Sequence, residues 1–350
     1  MKDGLKLSII VPVYNVENYI RDCFNSIFRQ KLNDDDFEVI IINDGTEDNS
    51  MAVIADIISQ HHNIRIVNQE NQGSSVAWNK GIAIANGEYI LLVDADDLLI
   101  ERRLKLLLEK AVETKADIVV PDFIEVEDEE ITESKVALLT ALHQPFSFQR
   151  TTGKEMFLID LHPSECVVWR KLYKKEFLIQ NHLSFVPGIH FQDIPFTNEC
   201  YIVAGKCFKA SQLFYIYRKR NVTVSHEFRF NKSCENTIAI AKTWELISRY
   251  QLTGVIKEKL QENVFIYFIN FSIRTSLLSK DFNEREFVFN RLRENAPDLY
   301  FTNNVKQKII SFLFWHFPIF FNYVFFFYAR IYQDKICTIY YRVKYILSQF

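Results

Sequence analysis

Short apolar runs alternate with amphipathic stretches through about the first 120 residues. Leu7-Ser8-Ile9-Ile10-Val11, Phe37 to Ile42 and Tyr89 to Val93 are nearly unbroken apolar runs, the pattern of strands covered on both faces. Asn63 to Val67 and Asp117 to Val120 read as two further strands. Between the first two strands, Ile20, Cys23, Phe24, Ile27 and Phe28 recur at the spacing of one buried helical stripe. Ile54, Ile57 and Ile58 mark a second helix. Val76, Ala77, Ile82, Ala83 and Ala85 mark a third, and Leu104, Leu107, Leu108 and Val112 a fourth. Asn86-Gly87 is expected to end the third helix, with glycine in the left-handed cap conformation. Strand followed by helix, repeated, predicts an α/β fold: a mostly parallel sheet with helices on both faces.

Polar loops follow these strands at Tyr14-Asn15, at Asp44-Gly45 and at Asp94-Ala95-Asp96. In a parallel sheet they share one edge, so Tyr14, Asp44, Asp94 and Asp96 are expected in one cleft. Asp94, Asp96 and Asp97 crowd three carboxylates together, and water or a cation must relieve their repulsion. Hard oxygen ligands suit Mg2+ or Mn2+, ions that usually arrive with substrate phosphates. The plain alternative is a solvated acidic turn. The first loop has no Gly-x-Gly-x-x-Gly, and a Walker loop is absent. Phosphates are therefore expected on a metal rather than in a glycine cradle.

Composition narrows the picture. At 350 residues the chain suggests two domains, or one with a large appendage. A formal charge of -3 predicts no nucleic-acid partner. Six cysteines without a Cys-x-x-Cys spacing read as reduced thiols, and the apolar run Leu7 to Val13 is too short for a signal-peptide core.

The segments Ser8-Ile-Ile-Val-Pro-Val-Tyr-Asn15, Val39-Ile-Ile-Ile-Asn-Asp-Gly45, Asn71-Gln-Gly73, Asn79-Lys-Gly81 and Gly87-Glu-Tyr-Ile-Leu-Leu-Val-Asp-Ala-Asp-Asp97 resemble glycosyltransferase family 2. The resemblance implies a GT-A fold and a nucleotide-sugar donor, UDP-linked by expectation. It implies that Pro12, Tyr14 and Asn15 line the base pocket and that Glu17 reaches the base or ribose. Asp44 would bond the uracil, Asn71 and Asn79 would border the nucleotide, and Asp94 with Ala95 would lie by the ribose. Asp96 would ligate the divalent metal, with His226 as a second ligand. Where many relatives carry Arg, this chain has Trp78. Where relatives read Glu-Asp, it has Gln192-Asp193, and the resemblance makes Asp193 the catalytic base of an inverting transfer. Asp193 also reads as a helix N-cap before Ile194-Pro195. Val167 to Lys175 resembles a segment on the acceptor side. Arg218, Lys219 and Arg220 would hold the departing diphosphate. A nucleotide-sugar-binding assembly partner without catalysis is the alternative that Gln192 and Trp78 favour.

The acidic run Glu125 to Glu130 reads as part of a solvated hairpin or insertion, and Thr151 to Glu155 as a helix start. The catalytic domain is expected to span 1–228 and a helical region 229–350. Within the latter, Ile309 to Ala329 is aromatic-rich and free of formal charge, yet Lys306 to Phe350 carries six Lys/Arg against one Asp. Pro318, His316 and Asn322 interrupt it. This pattern predicts a segment lying in the interface of an anionic membrane rather than crossing it, with a buried hairpin or a homodimer seam as alternatives. The expected setting is the cytosolic inner face of the cell membrane, with a glycan or lipid-linked acceptor.

Overall fold

The computed structural model describes residues 4–142, 145–160, 166–220 and 230–331. His226 lies outside the described residues, as does the end of the basic aromatic segment. The chain divides into two compact units, Met1–Gly188 with Gln192–Thr223 and Ile189–Phe191 with Val224–Phe350.

The first unit is built on one mixed sheet. Its strands are β1 (Leu7–Val13), β2 (Phe37–Asn43), β3 (Ile64–Asn68), β4 (Tyr89–Leu92), β5 (Leu98–Leu99), β6 (Ile118–Glu127), β7 (Phe148–Thr151), β8 (Leu172–Lys174) and β9 (Cys207–Lys219). The spatial order is β3-β2-β1-β4-β8-β6-β9-β5, and β7 pairs with β9. The β3-β2-β1-β4 half is parallel throughout. β8 enters antiparallel between β4 and β6 and turns the sheet mixed. Helices α1 (Ile20–Phe28), α2 (Ser74–Ile84) and α3 (Leu104–Thr114) follow β1, β3 and β5. The buried stripe of α1 is Ile20, Cys23, Phe24 and Ile27, as its spacing predicts. The core joins these to Ile9, Val11, Ile41 and Leu91, all without exposed surface.

Two expectations are corrected. Gly87 is not left-handed, and the residue after α2, Ala85, is already extended. Glycine is required at 87 for close approach: a Cβ there would overlap the backbone of Leu7 and Ser8, and the Gly87 N–H donates to Ser8 Oγ at 2.8 Å. Gly87→Ala is therefore expected to destabilise the first unit by about 3 kcal/mol, read as a lower denaturant midpoint with unchanged slope. An unshifted midpoint would refute the close-approach account.

The acidic run begins as strand and only its second half, Asp128 to Glu130, is a solvated turn. Glu125 to Glu127 continue β6 beside β9, with Val126 inward at 3% exposure. Glu125 and Glu127 both pair with Lys219. Alternation was present in the sequence, but with one apolar position between two acids it looked like charge alone. A helix, Glu133–Ala141, follows with Thr132 as its cap. The start expected at Thr151 to Glu155 forms a capping box between Thr152 and Glu155.

The second unit is helical: α5 (Phe230–Arg249), α6 (Gly254–Leu278), α7 (Phe282–Asn295) and α8 (Val305–His316), then a helix over 318–331; α4 (Asp193–Val203) belongs to the first unit. Its core is aromatic. Phe268 meets the rings of Phe301, Phe314 and Phe321 at 5.2–5.9 Å between centroids. Asn322 is fully buried and accepts from Arg285 Nε at 2.7 Å, so this interruption of the apolar run is a structural contact. Among the described residues no helix is long and apolar enough to cross a membrane.

Candidate active site

In a β3-β2-β1-β4 order the chain leaves β1 in one direction and reaches β4 from the other. The crevice beyond the carboxyl ends of β1 and β4 is the place where such sheets bind ligands. Ile10 pairs with Leu92, and the N–H of Val93 donates to the Ile10 carbonyl at 3.0 Å. The loop Tyr14-Asn15 and the turn Asp94 to Asp97 therefore leave the sheet side by side.

The loops after β1 and β2 are stitched together. Asn15 N donates to Thr46 Oγ1 at 2.8 Å, and Asn15 Oδ1 accepts from Glu47 N at 3.2 Å. Glu17 N donates to Asp48 Oδ2 at 2.9 Å, while the Glu17 carboxylate accepts from Asn49. Burial works to raise the Asp48 carboxyl, but hydrogen bonds from Ser50, Glu17 and Thr46 outweigh it and hold the group below its usual range. Asp48 is thus the hub of this junction, and nothing about its place in a polar run singled it out. Pro12 is half-buried, and the Tyr14 ring is 43% exposed beside them.

Asp44 is buried and anchors the next loop. Its oxygens accept from Gln69 Nε2 at 2.7 Å and from the N–H groups of Gln72 and Gly73 at 2.9 Å. Gly45 is left-handed, and a Cβ there would sit 2.9 Å from Asn71 N, so these two loops touch through backbone. Asn79 holds the Phe185 backbone from both sides, donating to its carbonyl and accepting from its N–H, each at 2.8 Å. Trp78 is 1% exposed and packs on the Phe185 ring. It fills core volume, not a charged pocket.

The acidic turn is clamped by the end of β9. Tyr215 Oη donates to Asp97 Oδ2 at 2.9 Å and accepts from Asp94 N at 3.2 Å. Arg218 N donates to Asp97 Oδ1 at 2.8 Å. The Arg218 side chain, 5% exposed, donates to the Asp96 carbonyl at 2.8 Å, to Asp128 at 2.6 Å and to Asp22 at 3.0 Å. Arg218 is therefore committed to the fold, and Lys219 to its glutamates. Of the three cations expected on a diphosphate, Arg220 is the one at the cleft. Its Nη2 meets Asp96 Oδ2 at 2.5 Å, over the ring of Tyr19.

Asp97 is fully buried, and burial followed by repulsion from Asp96 and Asp94 raises its carboxyl well above the usual range. It organises the turn. Asp94 and Asp96 are the members left partly open. Burial, then repulsion from Asp96 and Asp193, pushes Asp94 up to about 7, against the pull of Arg220.

Asp193 opens α4 as its first helical residue, so the cap position belongs to Gln192, which donates to Ser74 Oγ at 2.9 Å. Burial pushes Asp193 up to about 6. Its own N–H, the charge of Lys171 and the Ile194 N–H oppose that rise. Lys171 is 1% exposed, packs over the Tyr201 ring, and burial lowers it to about 8. A surface strand with outward lysines would leave it in water. Instead Lys171 lies behind Asp193 while Lys174 pairs with Glu176 outside.

Asp193, at a helix start, is thus near enough to Asp94 for its charge to raise that carboxyl, and Asp96 lies two residues on in the same turn. Among the described residues no three His, Cys, Asp or Glu side chains are grouped to hold a metal unaided. Asp96 with Asp94 still offers a hard, anionic oxygen pair whose repulsion a divalent cation would relieve. The residues present fit an ion that brings the rest of its coordination with a bound phosphate.

A parallel half-sheet with an Asp-x-Asp turn at its switch point defines the GT-A class of nucleotide-sugar enzymes. Residues 8–179 match the family described as Glycosyl transferase family 2. The chain is 32% identical to the uncharacterized glycosyltransferase YibD of Escherichia coli K12 over 65% of its own length and 66% of that protein. It is 31% identical to the uncharacterized glycosyltransferase EpsJ of Bacillus subtilis 168 over 74% of each chain. In fold it is similar to S. aureus TarS (residues 1–349) solved with UDP-GlcNAc, with a TM-score of 0.69, 19% identity and 93% and 92% of the two chains covered. The chain belongs to glycosyltransferase family 2.

Proposed function

We propose that this chain is an inverting transferase that moves one hexosyl or acetamidohexosyl group from a UDP-linked donor to a hydroxyl of a glycan or lipid-linked acceptor. The observation that carries the reading is the Asp94-Ala95-Asp96 turn beyond the paired ends of β1 and β4, with the charge of Asp193 acting on Asp94. The TarS complex with UDP-GlcNAc supports a UDP donor. Tyr14 offers an exposed ring for stacking on uracil. Pro12, Asn15 and Glu17 form the wall beside it, with Asp44 and Asn71 across the pocket, Asn79 supporting that side through its hold on the Phe185 backbone, and Asp94 and Ala95 at the ribose. Asp193 takes the proton of the acceptor hydroxyl while its oxygen attacks the anomeric carbon from the face opposite UDP. The bond from that carbon to the β-phosphate oxygen breaks, and UDP leaves with the electron pair. A divalent cation at Asp96, when bound, would neutralise charge on the leaving diphosphate. Arg220, paired with Asp96 in the absence of donor, would supply a cation to the same phosphates. His226 is kept as a candidate second ligand. The work is placed on the inner face of the cell membrane.

Titration calorimetry of UDP with Mn2+ tests the core of this reading. Binding is expected to require Mn2+ and to weaken at least about tenfold in Asp96→Ala. Equal affinity in the variant would remove Asp96 as the metal site. No UDP binding with or without metal would remove UDP as the donor nucleotide and send the titration to other nucleotides, and failure of those too would favour the non-catalytic role.

A further inference from the structure

The helix over 318–331 has two apolar faces. Phe321, Asn322, Phe325 and Ala329 are buried inside the second unit. On the opposite side Ile319, Phe320, Tyr323, Val324, Phe327 and Ile331 are each 38–62% exposed. Among the exposed positions of this helix there is no charged side chain. A helix face in water is normally polar, and a contiguous apolar face marks an interaction surface. The preceding helix α8 adds a second stripe. Val305, Ile309 and Phe312 lie one turn apart and exposed, flanked by exposed Lys306 and Lys308.

We propose that these two outward faces together form a docking surface for an anionic lipid bilayer, on which the second unit lies without crossing. Three observations choose lipid over a second copy of the chain. The stripe of α8 is edged by lysines, whose stems can lie along acyl chains while their ammonium groups reach phosphate. Residues 332–350, outside the described residues, follow directly in sequence with Lys335, Arg342 and Lys344 against Asp334 alone. An anionic leaflet attracts this excess of cations, whereas pairing with a second, equally basic copy gains nothing from it. Among the described residues neither helix is long and apolar enough to span, and Pro318 separates them, which fits a surface lying in the interface.

The proposal deepens the membrane placement given above. Its test uses neither donor nor acceptor, so its failure and that of the transfer reading are separable. Full-length chain is sedimented with vesicles of phosphatidylcholine alone or with about 30% phosphatidylglycerol. Binding is expected to be at least about tenfold stronger on the anionic vesicles and to fall with salt. The exposed double variant Phe320→Glu/Phe327→Glu should lose binding while keeping its helical circular dichroism. Lys306→Glu/Lys308→Glu should lose the preference for anionic lipid. Equal binding to both vesicle types would overturn the electrostatic part. No binding to either would overturn the whole proposal. If the wild type then formed a concentration-dependent dimer that Phe320→Glu/Phe327→Glu dissolved, the face would be a seam between copies.

Discussion

Asp193→Asn is expected to lower turnover by about 10²–10⁴-fold while UDP still binds in the presence of Mn2+. The amide keeps the shape of the carboxylate but cannot accept the acceptor's proton. Removing one negative charge beside the diphosphate should leave UDP affinity unchanged or slightly improved. The pH dependence carries the stricter test. Burial places Asp193 at about 6, and a base must be ionised to work. Activity is therefore present above pH 6 and falls tenfold for each unit below it. The limb should be read on kcat, with donor bound, because Asp94 at about 7 also titrates in the free enzyme. Removing the buried cation in Lys171→Met should move the limb to higher pH, since burial then acts on Asp193 with less opposition. A limb that survives in Asp193→Asn would assign the base to another group.

The largest effect on stability is expected at Arg218. This side chain bridges Asp22, Asp128 and the Asp96 carbonyl and lies 5.0 Å from the centre of the Tyr19 ring. Arg218→Met fills similar volume but leaves those acceptors facing a thioether. Arg218 is buried while Asp22 and Asp128 keep contact with water, so rehydration offsets part of the loss, and a fall of about 3–4 kcal/mol in unfolding free energy is the expected result of removing its charged hydrogen bonds. UDP affinity should fall with it, because the clamp on the turn is the same clamp. Arg218→Lys should rescue little, as one ammonium cannot reproduce the fork to three partners. Arg220→Met serves as the contrast, since Arg220 is itself more open to water than Arg218, 17% against 5%. If Arg218→Met unfolds at the wild-type midpoint, Arg218 is not a structural clamp.

Much of the first unit was legible because its signals are local. Ile9 to Val11 and Val39 to Ile42 are apolar on both pleat faces, which only a strand covered on both sides tolerates. Once the β3-β2-β1-β4 half is parallel, its polar loops must leave from one edge, and Tyr14, Asp44 and Asp94 follow without further information. Burial pattern and motif order therefore reached the cleft together.

Other features needed contacts between positions far apart in the chain. Gly87 reads as a helix stop, but its lack of a side chain answers to β1, some 80 residues earlier. Lys171 sits among Arg170, Lys174 and Lys175, and no local pattern separates the two buried members, Arg170 and Lys171, from the two half-buried ones. Arg218 and Arg220 differ by two residues and share one composition. One is spent inside the fold and the other faces Asp96, because β9 ends between them.

By itself the sequence determined the strand and helix alternation, the shared edge of the polar loops and the family, since periodicity and motif order are properties of neighbouring residues. Which carboxylates stay open, which cation opposes the burial of Asp193 and which aromatic rings of the second unit point outward were decided by tertiary structure. Desolvation and charge interaction depend on distances in space, and those are set only when separate segments pack.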